Sequence, residues 1–169
     1  MPQVSKHIPI KGFKNQPAFF KSREYSTSLG KMYMVAIDLE LEAGGEDAFY
    51  FYHETKPYEL SFEIITTGYF RVAFEECDVI INGGVLDILE CTNRYRPRDF
   101  DLEFGWTDDW GTNVVTFIDG FVLPNEFPYT FGRDELTFVC APDKYYVVYI
   151  ENVESSTEVQ NMIFYVGEV

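Results

Sequence analysis

The sequence predicts an all-β domain, a jelly-roll-like β-sandwich that follows an extended N-terminal arm. Three observations carry that expectation. From Met32 onward, apolar residues recur with period two, the spacing that puts alternate side chains on one face of a strand. Aromatic residues make up 18% of the chain, with 16 Phe and 12 Tyr, and such side chains suit a pleated, half-buried surface. Turn-forming Gly, Pro, Asn and Asp recur at intervals of roughly 8–12 residues with no helical period between them, which is the cadence of a sandwich of about nine to eleven short strands.

Residues 1–31 lack sustained periodicity and hold Pro2, Pro9, Gly12, Pro17 and Gly30. They read as an arm that orders only where it lies on something. Residues 32–169 read as one sandwich domain. Its first strand has Tyr33, Val35, Ile37, Leu39 and Leu41 on one face and Met34, Ala36, Asp38, Glu40 and Glu42 on the other. A turn over Ala43–Asp47 leads to a short strand, Phe49 to His53, and Glu54–Pro57 turns again. Tyr58, Leu60, Phe62 and Ile64 form the next inward stripe, with Glu59, Ser61 and Glu63 outward.

The stretch Gly68 to Arg98 is the centre of the pattern. Phe70, Val72 and Phe74 alternate with Tyr69, Arg71, Ala73 and Glu75. Asn82-Gly83-Gly84 then reads as a tight hairpin turn, because Asn-Gly supplies positive φ angles, with Val85 to Leu89 as the returning strand. The stretch closes on Arg94, Arg96 and Arg98, which alternation would place on one strand face. Beyond it, Phe100, Leu102 and Phe104 alternate with Asp101 and Glu103. Gly105 to Gly111, with Trp106 and Trp110 flanking Asp108 and Asp109, reads as a loop tip. Val114 to Ile118 is strand-like and Asp119 to Asp134 reads as a long loop. Leu136–Cys140, Lys144–Asn152 and Val159–Val166 read as the final strands.

Charge is unevenly placed. The net charge is −15. Residues 1–31 carry six cations, Lys6, Lys11, Lys14, Lys21, Arg23 and Lys31, against Glu24, net +5; residues 32–169 carry seven cations against 27 anions, net −20. So acidic a body repels nucleic acid and anionic membranes, and a basic arm on it suggests docking on an acidic surface. No apolar run approaches the ~18 residues of a membrane span. The first residues lack the apolar core of a secretory signal, so synthesis in a cytosol is expected.

Catalytic signatures are missing from the sequence. There is no GxSxG, no Walker motif and no GxGxxG. Glu75/Glu76 and Asp108/Asp109 could serve as acid–base pairs of a glycosidase or, for the aspartates, as calcium ligands; solvated surface charge is the better reading of both. Cys77, Cys91 and Cys140 share no CxxC spacing, and His7 and His53 add no zinc-like pattern. Buried free thiols are expected, with one disulfide among the three cysteines as the alternative, and no metal or cofactor. Trp106 and Trp110, with Tyr95 and Tyr129, could stack on sugar rings or form a protein contact. Arg94, Arg96 and Arg98 more naturally pair with carboxylates of this chain or of a neighbouring subunit.

Gly68, Phe70, Phe74, Glu75, Val79, Ile80, Asn82, Gly83, Gly84, Leu86, Asn93, Arg94 and Arg96 stand in an order that resembles a recurring string of small tailed-phage virion proteins. These are jelly-roll head decoration or head-fibre proteins. The flanking runs Leu41–Gly45, Phe49–His53, Phe62–Ile64, Leu136–Val139, Lys144–Asn152 and Val159–Tyr165 are similar as well, whereas residues 100–134 do not match. The resemblance implies a homotrimer on the capsid surface of a virion, bound to the major capsid protein, with no enzymatic activity. On that reading Lys6, Lys11, Lys14, Lys21 and Arg23 form the capsid-docking arm. The alternative is a carbohydrate-binding or host-surface adhesin module using Trp106 and Trp110.

Overall fold

The computed structural model describes residues 29–86, 90–96, 98–124, 129–131 and 138–169. The basic arm expected over residues 1–31 therefore falls almost wholly outside the described residues. Among the described residues there are twelve strands: β1 (Met32–Leu41), β2 (Glu46–Tyr52), β3 (Tyr58–Thr66), β4 (Phe70–Cys77), β5 (Val79–Val85), β6 (Glu90–Cys91), β7 (Glu103–Gly111), β8 (Val115–Val122), β9 (Tyr129–Phe131), β10 (Phe138–Cys140), β11 (Tyr145–Asn152) and β12 (Glu158–Glu168).

They form two antiparallel sheets. The first runs β10-β3-β12-β1-β6, with β9 also on β3; the second runs β5-β7-β2-β11-β4-β8. With β5, β6 and β7 set aside, the chain changes sheet at every step except β4 to β8 and β9 to β10. Strands β1-β12-β3-β10 thus face β2-β11-β4-β8, the wrapped order of a jelly roll. Strands β5, β6 and β7 are inserted between β4 and β8 and extend both sheets on the β1/β2 side.

Alternation decides what lies between the sheets. Tyr58, Leu60, Phe62 and Ile64 of β3, Phe70 and Phe74 of β4, Val148 and Ile150 of β11, and Met162, Phe164 and Val166 of β12 are fully buried. Phe51 lies 4.9 Å from Phe104 and 5.1 Å from Phe164, centroid to centroid, and Phe74 lies 4.6 Å from Phe138. Each such ring removed from water contributes about 1.5–3 kcal/mol, so the aromatic-rich sequence supplies both strand preference and core. Cys77 and Cys140 are free, buried thiols. At the end of β11, the Asn152 amide donates to the carbonyls of Leu41, Glu42 and Ser156 and its oxygen accepts from Glu154 N–H, which fixes two neighbouring turns.

Four expectations are corrected. Asn82-Gly83-Gly84 is not a hairpin turn: it lies inside β5 and pairs with β7, with register shifts on either side of Asn82. The glycines are there for close approach rather than positive φ. A Cβ on Gly83 would sit 2.4 Å from the Trp106 carbonyl oxygen, and one on Gly84 would sit 2.8 Å from the Trp106 indole nitrogen. The chain reverses instead at Asp78, and β4 and β5 part to different places in the second sheet. Gly105 to Gly111 is not a loop tip but most of β7. The expected long loop after Asp119 contains the end of β8 and all of β9. Finally, Arg94 and Arg96 lie in a turn after β6, and Arg98 in the segment that leaves it, so the three do not share a strand face.

Candidate interaction surfaces

The outer face of the second sheet carries a small core of its own. Ala48 and Tyr50 of β2, Cys77 of β4 and Val147 of β11 are buried there, packed with the half-buried Tyr52, Ile80, Trp110, Tyr145 and Tyr149. The cover is β7. It pairs with β2 only over Glu103–Trp106. Its far end then lies over β11 and β4: the Trp110 ring is 6.0 Å from Tyr149, and its indole N–H donates to Glu75 at 2.8 Å. The Asp78 N–H donates to the Thr112 carbonyl at 3.2 Å and pins the ribbon's end beside β4. The β5–β7 pair is thus a flap across the outside of the sheet.

Carboxylates ring this face, and the aromatic donors engage them. Tyr50 donates to Glu103 at 2.6 Å, Tyr52 to Asp143 at 3.1 Å, and Tyr149 to Glu46 at 2.7 Å. Burial, then the adjacent carboxylate, pushes the Tyr50 and Tyr149 hydroxyls well above the ordinary tyrosine range, so both are fixed donors. Arg71 binds Asp119 through two parallel contacts of 2.9 and 3.0 Å and holds its carboxyl below the usual range. Lys144 and Asn113 do the same for Asp78. Outward Tyr50, Tyr52, Tyr145 and Tyr149 were the sequence signal for this face, hidden because tyrosines such as Tyr33, Tyr58 and Tyr146 also fill the core.

Trp106 and Trp110 go to different neighbours. Trp106 is 39% exposed and lies against Gly84. Trp110 is half-buried and its donor is taken by Glu75. The paired carboxylates are likewise dispersed: Glu76 accepts from Tyr146 at 2.6 Å, and Asp108 accepts from Asn82 at 2.6 Å.

The arginine turn is built by Asn93, whose side-chain oxygen accepts from the N–H of Tyr95 at 3.0 Å and of Arg96 at 3.3 Å. Arg94, Arg96 and Arg98 are exposed, and Tyr95 is 98% exposed. The turn is held to β1 from behind: Tyr33 donates its hydroxyl to the Arg98 carbonyl, and Thr92 donates through both its N–H and its hydroxyl to the Met32 carbonyl, each at 2.8 Å.

A second surface is the edge of β8, on which no other strand pairs among the described residues. Val115, Phe117 and Phe121 are 47%, 49% and 66% exposed along it, and Leu123 follows at 46%. A long apolar edge strand offers unpaired backbone groups to a further strand.

Lys6, Lys11, Lys14, Lys21 and Arg23 lie outside the described residues, as do the side chains of Cys91 and Tyr129. No group of three or more His, Cys, Asp or Glu among the described residues is placed to hold a metal ion. No helix among them is long and apolar enough to cross a membrane. No protein-family model matches the chain, and no curated protein is detectably similar to it.

Proposed function

We propose that this chain is a structural virion subunit: a capsid decoration protein of a tailed phage that docks on the head through its N-terminal arm and assembles as a homotrimer. The observation that supports the reading most is the charge split on a jelly-roll frame, an arm of net +5 before a body of net −20. Such a body stays soluble and repels its own copies at long range, while three arms on one rotational axis would act as a single avid anchor. The apolar β8 edge is a surface through which subunits can join. The resemblance over Gly68–Arg96 points the same way.

The test is co-sedimentation of the full chain with phage heads that lack it, beside a variant in which Lys6, Lys11, Lys14, Lys21 and Arg23 are all changed to Gln. Binding by the first and not by the second is the expected result, with the trimer mass unchanged in sedimentation. A chain that is monomeric and ignores capsids sinks the proposal.

A further inference from the structure

The β5–β7 flap is fastened differently from the frame beneath it. The chain enters the flap from β4 through Asp78 and leaves it toward β8 through Thr112 and Asn113. These last two residues have φ angles of 53° and 50°. Asparagine tolerates the left-handed region, but a β-branched threonine rarely adopts it. The corner is strained, and polar bonds hold it: the Asp78 N–H donates to the Thr112 carbonyl, and the Asp78 carboxylate accepts from Asn113 and Lys144. At the other end, β7 is laddered to β2 over Glu103–Trp106.

Between those two fastenings the flap rests on side chains. Beyond Trp106, β7 pairs with β5 and with no other strand among the described residues. Its hold on the sheet is the packing of Ile80 and Trp110 on the small outer core, together with the hydrogen bond from the Trp110 indole to Glu75. Asp108 and Asp109, on the same stretch, are exposed. The frame is closed by the much larger inner core that includes Phe51, Phe62, Phe74 and Phe164. A segment with so little buried apolar surface opens at a lower free-energy cost than the frame that carries it.

Cys77 lies at the seam. It ends β4 and is fully buried. Its thiol donates to the Val79 carbonyl at 3.5 Å, and the Gly111 N–H donates to its sulfur. Val79 and Gly111 are the first rung of the β5–β7 ladder, so the flap itself seals this sulfur. Cys140 is also a buried free thiol, but it lies in the core between the two sheets, opposite Tyr58 on β3.

We propose that the β5–β7 flap is a lid that opens as a unit about the Asp78–Asn113 corner while the sandwich stays folded. Closed, it shields Tyr50, Tyr149 and Cys77; open, it presents them. The strain at Thr112 favours opening, and the Trp110–Glu75 bond opposes it. The lid does not depend on the virion reading.

The experiment is alkylation of the full, native chain with iodoacetamide, with the labelled cysteine peptides quantified over time by mass spectrometry. Cys77 should react well before Cys140. Low concentrations of urea should leave the Cys77 rate nearly flat and raise the Cys140 rate steeply, because global unfolding exposes far more surface than lid opening. Trp110→Phe should speed Cys77 roughly five-fold, the effect of one lost hydrogen bond. Thr112→Gly, which relieves the left-handed strain, should slow it several-fold. Phe62→Leu weakens the inner core, so it should speed Cys140 and leave Cys77 unchanged. Equal rates and equal urea dependence for the two thiols overturn the proposal. So does a Cys77 rate that follows Phe62→Leu, or one that ignores both Trp110→Phe and Thr112→Gly.

Discussion

The indole N–H of Trp110, on β7, donates to the carboxylate of Glu75, on β4, although β2 and β11 lie between those strands in the sheet. This one bond shows that β7 leaves its partner and folds across the sheet's outer face. Trp110→Phe keeps a ring beside Tyr149 and deletes the donor, so it should cost about 1 kcal/mol in chemical denaturation. Trp110→Ala also removes the cover of the small outer core and should cost about 2–4 kcal/mol. Equal losses for the two would mean that the hydrogen bond carries the effect and the packing none.

Gly30 and Gly44 have nearly the same φ, +70° and +72°, but different surroundings. A Cβ on Gly30 would fall 1.4 Å from the Arg96 carbonyl oxygen, whereas one on Gly44 meets nothing within 4 Å. Gly44→Ala should therefore cost only the left-handed backbone strain, about 1 kcal/mol. Gly30→Ala should cost clearly more, and amide exchange at the arginine turn should accelerate in that variant alone.

His53 is 4% exposed, rests on Phe100, and accepts through Nδ1 from the N–H groups of Thr55 and Lys56 at 3.1 and 3.0 Å. Burial, then Lys56, lowers its pKa from the ordinary value of 6.5. A base whose folded pKa is depressed binds its proton more readily in the unfolded chain. Its contribution is thus complete above about pH 6.5 and is lost as the pH falls below it. Stability should decline between about pH 7 and 5, before the lowered carboxylates Asp78, Asp119 and Glu158 take over in stronger acid. His53→Asn keeps an acceptor for the turn without the titration, so its thermal midpoint should be flat across that window.

Gln160 is fully buried on β12, and neither its amide nitrogen nor its oxygen has a partner among the described residues. An unpaired buried amide costs about 1–3 kcal/mol. Gln160→Met, similar in length and apolar, should raise the unfolding free energy by about that much. A destabilised Gln160→Met protein would show that the amide is in fact engaged.

The fold class was legible because period two survives in β1, β3, β4 and β12: Tyr58 to Ile64 and Phe70 to Phe74 occupy the core as their spacing requires. The insertion was not legible. Asn82-Gly83-Gly84 carries the local signature of a turn, but its glycines answer to Trp106, more than twenty residues away, and no local pattern encodes that contact. Gly105 to Gly111 failed for the same reason. A strand that covers a sheet's outside, with aspartates on its free side, has neither clean alternation nor apolar continuity. The tyrosine–carboxylate face was hidden because its partners, such as Tyr50 with Glu103 and Tyr149 with Glu46, come from strands far apart in sequence.

The proposed role of the basic arm, attachment of this acidic jelly roll to a capsid, is open to direct test. The most direct measurement is the stoichiometry of binding to heads that lack the protein, taken across a salt series for the full chain and for the variant with Gln at positions 6, 11, 14, 21 and 23. Attachment through the arm predicts saturable binding in multiples of three that weakens with salt and is lost in the variant. Undiminished binding by the variant, or no binding by the full chain, would contradict it.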